Sequence, residues 1–248
     1  MIVSTFGSTP GAVLIEWSLK AASGSGMWDV HTRIGGLQGS QQQVAQCPTT
    51  AAVSADCEVA SMSMQVTSMA TGVYLENGWL WTADHDLESS TNTQIFVYTG
   101  RGLLIEGQNI WLYEMAVEHH SLYQYQFSGA KSITAGYIQT ETPYYQPNPS
   151  AANSPYPTNS NLNDLSYSSC LGENCDALGL RVLNSNSVVI YGAGFIEGTT
   201  SGLVVYGLNT VGVTYMIVKA GAALAKVSDN LDTFAATIAY FTSEGILL

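Results

Sequence analysis

Short apolar runs recur along the chain at 13–15, 73–75, 79–81, 95–98, 103–105, 110–112, 133–138, 188–190, 203–205 and 211–218. Each is strand length, built mainly from β-branched, aliphatic or aromatic residues, and bounded by Gly, Asn, Ser or Thr. Apolar positions repeating every 3.6 residues are scarce; the best helical stretches, 41–46 and 220–225, are short. The pattern predicts a protein that is nearly all β.

Spacing narrows the architecture. At an offset of 23 residues, Asn109-Ile110-Trp111 falls on Ser132-Ile133-Thr134, Met115 on Ile138 and Glu118 on Glu141. The run 186–190 precedes 212–214 by a similar interval. A period of some 20 to 25 residues, with Asn, Ser or Gly ahead of each strand, predicts a parallel β-helix whose inward residues stack from turn to turn. Hairpin signals are thin: Asn-Gly occurs once, at Asn77-Gly78, and Asp-Gly is absent. The segment 146–169 holds four of the seven prolines and breaks the period, which predicts a long loop over 146–175 closed by Cys170 and Cys175. The whole of 1–248 then reads as a single β-helix domain.

Composition changes this picture in two ways. Only 10% of residues are charged, against about a quarter in an ordinary globular protein. Seven Lys and Arg face nineteen Asp and Glu, a formal charge of −12, which excludes nucleic acid and anionic membrane as partners and leaves a neutral ligand. The four cysteines form two close pairs, Cys47 with Cys57 and Cys170 with Cys175, in polar loop-like segments. Two local disulfides, an oxidising compartment and an extracellular location follow as expectations. Neither pair is CxxC and no histidine lies near, so zinc is not expected there. The opening residues MIVSTFGSTPGAV do not read as a signal peptide, and no run reaches membrane-spanning length.

Candidate chemistry gathers between Trp111 and Gln146. This stretch contains Glu114, Glu118, His119, His120, Glu141 and six of the fourteen tyrosines. On successive rungs, Glu118 and Glu141 would have backbones about 4.8 Å apart. Like charges that close raise one pKa, and glycoside hydrolysis needs one protonated and one ionised carboxyl group. The plainer alternative is two glutamates on a solvated face. His119 and His120 would point to opposite sides of a strand, so at most one shares the surroundings of Glu118. Neighbouring residues make poor metal ligands, and neither metal nor cofactor is expected. Asp84, following Trp79 and Trp81, suits the lining of a cleft. Exposed rings among Trp79, Trp81, Trp111, Tyr113, Tyr123, Tyr125, Tyr137, Tyr144 and Tyr145 suit stacking on sugar faces, with at least half needed for the core. No nucleophile elbow or phosphate loop is present.

Longer strings carry a resemblance. GMWDVHTRIGG at 26–36, WLWTADHDL at 79–87, GRGLLIEG at 100–107 and VEHHSLYQYQFSGAKSITAGYIQTETPYYQPNP from Val117 resemble glycoside hydrolase family 55, the exo-acting β-1,3-glucanases. The resemblance implies a right-handed, single-stranded parallel β-helix of the pectate-lyase-like kind. It also implies extracellular hydrolysis of β-1,3-glucan from chain ends, with inversion and without a metal. Glu141 matches the family's general acid and Glu118 its acidic partner. Tyr144, Tyr145 and Gln146 are implied to line the sugar subsites, with His119, His120, Trp81 and Asp84 beside them. Family members carry two tandem β-helices, and this chain corresponds to the C-terminal one, so an N-terminal β-helix is an implied partner. Glu114 stands where the family has small residues and is expected to crowd the site. The alternative function is a truncated, non-catalytic β-glucan-binding or structural β-helix. A pectin-type enzyme would need a basic cleft, which seven Lys and Arg do not supply.

Overall fold

A computed structural model describes residues 1–49, 52–168, 175–193, 196–211, 214–219, 222–232 and 235–242. The chain lays down strands in threes. One ladder contains Thr9–Trp17, Glu58–Val66, Tyr98–Ile105, Tyr123–Ser128 and the start of Leu178–Ala193. A second contains Lys20–Trp28, Thr71–Glu76, Gln108–Tyr113, Lys131–Gly136 and the rest of Leu178–Ala193. A third, smaller sheet stacks Ile2–Val3, His31–Ile34, Trp79–Thr82, Ala116–Glu118 and Gln139–Glu141. Every pairing within these ladders is parallel. The fold is mostly β, made of parallel sheets.

The 23-residue offset appears directly in the register. Ile110 pairs with Ile133 and Glu118 with Glu141. Inward positions stack as columns, such as Val73, Ile110, Ile133 and Val188, all fully buried. Corners are built from residues that tolerate left-handed backbone. Asn109, Ser132 and Ser187 share one corner position with φ of 56°, 56° and 55°. Asn77, Glu114 and Tyr137 share another, where each amide bonds to a carbonyl of the next turn. Asn and Ser adopt this conformation at lower cost than branched residues. The outer face of the second ladder carries rings that meet from rung to rung, including Tyr191 on Tyr206 at 5.0 Å and Tyr113 on Tyr137 at 5.7 Å.

Several expectations need correction. The run 186–190 pairs with 201–205, so the next turn begins sooner than 212, and 212–213 lie outside the described residues. Residues 41–46 form bends and turns, with the Val44 amide bound by Asp86, and 222–225 lie in the strand Ala222–Lys226, which pairs with Tyr215–Lys219, while 220–221 lie outside the described residues. Lys20–Trp28, Glu58–Val66 and Tyr123–Ser128 are strands without a long apolar run. Beyond them the sheet changes character: Ile196–Thr210 pairs antiparallel with Ala235–Thr242.

The proline-rich segment lies over the first ladder. It packs on Tyr98–Ile105, where buried Asp164 pairs with buried Arg101 and the Tyr156 hydroxyl donates to the Tyr98 carbonyl at 3.2 Å. Tyr98, Tyr123, Tyr145, Tyr156 and Tyr167 thus belong to a second core outside the first ladder. Cys47 and Cys57 are joined, closing the loop before Glu58. The pairing of Cys170 with Cys175 involves Cys170, which lies outside the described residues. No helix is long and apolar enough to cross a membrane among the described residues.

Candidate functional site

The third sheet brings three strand ends together: Trp79–Thr82, Ala116–Glu118 and Gln139–Glu141. Trp81, Glu118 and Glu141 are register partners across them. Glu118 is 6% exposed, whereas the Glu141 side chain is 40% exposed. The Trp79 indole N–H donates to Oε2 of Glu118 at 2.8 Å, and the Tyr144 hydroxyl donates to Oε1 of Glu141 at 2.8 Å. Each carboxylate therefore has one oxygen held by an aromatic donor.

His119 follows Glu118 but does not cross to the other face. Its φ of 67° ends the strand in left-handed backbone, which breaks the usual alternation. The ring is buried, with Nδ1 3.0 Å from the Thr82 carbonyl and Nε2 3.8 Å from Oε2 of Glu141. Asp84 stands on the Nδ1 side at 3.7 Å and also binds Nδ1 of His85 at 2.6 Å. Tyr144 lies over His119, ring centres 5.1 Å apart, with His85 edge-on at 5.9 Å. A shallow recess opens here, lined by Ala83, Asp84, Phe96, His119, Pro143 and Tyr144.

Burial raises the pKa of Glu118 above its ordinary value. The Trp79 N–H and the His119 ring oppose that shift, while the carboxylates of Glu141 and Asp84 add to it. Tyr144 is pushed up to about 12, first by its hydrogen bond to the Glu141 carboxylate. One donor atom each from Glu118, His119 and Glu141 lies within 4.8 Å of the others. Glu118 and His119, adjacent in sequence, therefore face one space, and of the two histidines only His119 shares it.

Other residues implicated by sequence sit elsewhere. His120 points into the interior, where Nε2 is 2.6 Å from the Ser63 hydroxyl and Nδ1 is 2.9 Å from Oε1 of Gln124. Burial lowers its pKa to about 3. Tyr145 is buried against Tyr98, with its hydroxyl bound to Ser121 at 2.7 Å. Gln146 donates to the Ser121 carbonyl and accepts from the Ala177 amide, so its amide group fixes the loop. Trp81 is buried beneath Trp79, ring centres 4.9 Å apart, so it supports the cluster and offers no open face. Glu114 occupies an exposed corner and does not crowd the carboxylates. Trp79 as a hydrogen-bond donor and the Thr82 carbonyl were not signalled by sequence. Their only trace is the alignment of the tryptophan strand with the Glu118 strand.

Short parallel strands stacked in turns, carrying a buried and an open carboxylate at one edge, define a pectate-lyase-like protein with an acidic site. Residues 7–141 match the LAM55 pectate lyase-like domain. The chain belongs to this family. It is 44% identical over 272 aligned residues to a glucan 1,3-beta-glucosidase of Cochliobolus carbonum, covering 98% of this chain and 34% of that protein. It is 39% identical to a probable glucan endo-1,3-beta-glucosidase of Arthroderma benhamiae, covering 97% of this chain and 30% of that protein. The chain thus spans about a third of the length of these relatives. Its fold is similar to that of sacteLam55A from Streptomyces sp. SirexAA-E, with a TM-score of 0.57 at 15% identity, covering 97% of this chain and 41% of that chain.

Proposed function

We propose that the chain is a single right-handed parallel β-helix, equivalent to the C-terminal of two tandem units, that hydrolyses β-1,3-glucan from chain ends with inversion. The observation that carries this reading is the register pair of Glu118 and Glu141, one buried and one open, in a family whose relatives are named glucan β-glucosidases. Glu141 is the carboxyl group that an incoming sugar reaches, so it is assigned as the proton donor to the leaving oxygen. Tyr144 orients it. Glu118, its register partner, is assigned to positioning or activating the water. Trp79 keeps Glu118 in place, and Tyr144 and Asp84 line the sugar's approach. The Cys47–Cys57 bond fits an extracellular setting.

Glucose release from laminarin tests the assignment. Glu141→Gln is expected to lower turnover about 10²–10⁴-fold. An aryl β-glucoside with a good leaving group, which departs without protonation, should lose much less. Normal laminarin turnover by Glu141→Gln would sink the role given to Glu141. The chain's coverage of only 34% and 30% of its relatives favours one second reading, a glucan-binding unit without catalysis. Retention on insoluble β-1,3-glucan with no glucose released would establish it.

A further inference from the structure

With both carboxyl groups ionised and the ring neutral, every free atom of Glu118, His119 and Glu141 is an acceptor. The Thr82 carbonyl can only accept, so Nδ1 of His119 carries the hydrogen at 3.0 Å from it. Nε2 of the neutral ring is then a lone pair. It is aimed at Oε2 of Glu141, 3.8 Å away, and has no hydrogen-bond partner among the described residues. His119 is 4% exposed, so bulk water does not satisfy that nitrogen. An unpaired buried acceptor facing two carboxylates is a costly arrangement unless a proton or a metal ion sits between them.

The surroundings match the way proteins hold metal ligands. A metal-binding imidazole characteristically donates its other N–H to a backbone carbonyl or carboxylate, which fixes its tautomer and orientation. Here the Thr82 carbonyl does so, with Asp84 3.7 Å from the same nitrogen. Ligating carboxylates are likewise held by outer donors, and Trp79 and Tyr144 each hold one oxygen. The left-handed φ of His119, an uncommon backbone state for this residue, is what turns the ring toward the glutamates.

We propose that Glu118, His119 and Glu141 bind one divalent transition-metal ion of the zinc type, with solvent completing the shell. One imidazole and two carboxylates suit Zn²⁺, whereas Mg²⁺ and Ca²⁺ take oxygen ligands almost exclusively. Ligands of a tetrahedral zinc stand about 3.4 Å apart, given bonds of about 2.1 Å. The donor atoms here lie within 4.8 Å of one another, so modest side-chain rotation closes the shell. Because the ion would sit on Glu141, zinc and sugar would exclude each other. Binding itself does not depend on the glucanase reading, and the two fail separately.

Isothermal titration of the chelator-treated chain with zinc chloride tests the site. One ion per chain is expected, with affinity lost in His119→Ala and reduced at least about tenfold in Glu141→Gln, while His31→Gln binds as the parent does. Circular dichroism confirms that the variants are folded. If His119→Ala does not fold, the Glu141→Gln titration decides alone. Cobalt in place of zinc should give a visible absorption band that His119→Ala lacks. The proposal is overturned if zinc does not bind, if magnesium binds equally well, if Glu141→Gln binds as the parent does, or if loss follows His85→Asn and not His119→Ala.

Discussion

Glu118 and His120 are both buried two residues apart, and they move stability in opposite directions with pH. Burial holds the pKa of His120 down at about 3. Below about 6.5 the unfolded chain takes up this proton and the folded chain does not, so stability is complete above that value and falls progressively toward pH 3. Across the full window the loss is on the order of 5 kcal/mol for this one group. Glu118 works in reverse. Its folded pKa is raised, so the folded chain binds the proton more tightly, and stability falls as pH climbs from the unfolded value through the folded one. Melting temperature against pH should therefore fall on the acid side through His120, and Glu118→Gln should flatten the decline on the other side. An acid limb unchanged in His120→Gln would show that the imidazole is not what titrates.

Close approach between strands fixes some positions in this fold. Gly102 lies within Tyr98–Ile105, opposite Gln124 in the register, where a Cβ would meet the Gln124 carbonyl at 2.1 Å and Val117 at 2.4 Å. Gly102→Ala should cost roughly 3 kcal/mol or more in chemical denaturation, since backbone must move. The Asp164 carboxylate grips buried Arg101 from the proline-rich segment. Asp164→Ala leaves that guanidinium unpaired and should cost about 3–5 kcal/mol. If its denaturation midpoint matched the parent's, the segment would not be part of the folded unit. Sequence reading reached the β class, the period and the pairing of Glu118 with Glu141, because column-stacked apolar residues leave a repeat. It missed Glu58–Val66, whose EVASMSMQV is buried on both faces by the added outer layer and lacks the β-branched run that marks a strand. It also gave Tyr145, Gln146, Trp81 and His120 to the sugar. These residues have the chemistry of a binding site, but Tyr145 and Gln146 are bound to Ser121, His120 to Ser63, and Trp81 is buried beneath Trp79. The turn of His119 toward the carboxylates was illegible because alternation is the default and a single left-handed residue overrides it.

At the scale of the whole molecule, a formal charge of −12 and a sequence pI near 4.4 set which polymers can approach. The site adds to that field, since Asp84, Glu118 and Glu141 converge and Arg33, the nearby cation, is paired with Glu88 and lies over Trp81. A neutral glucan feels none of this repulsion. A carboxylated glucan of the same backbone feels it over a Debye length of about 10 Å at 0.1 M salt, and over about 30 Å at 0.01 M. Laminarin binding by the chain should therefore change little as salt is raised over this range. Binding of carboxymethylated β-1,3-glucan should be weak at low salt and strengthen as screening sets in, the reverse of the trend for an enzyme with a basic cleft. Titrating both polymers at the two ionic strengths measures the sign directly. Tighter binding of the anionic polymer at low salt would mean that a different, positively charged surface takes the chain, and the acidic edge of the third sheet would lose its claim to the glucan.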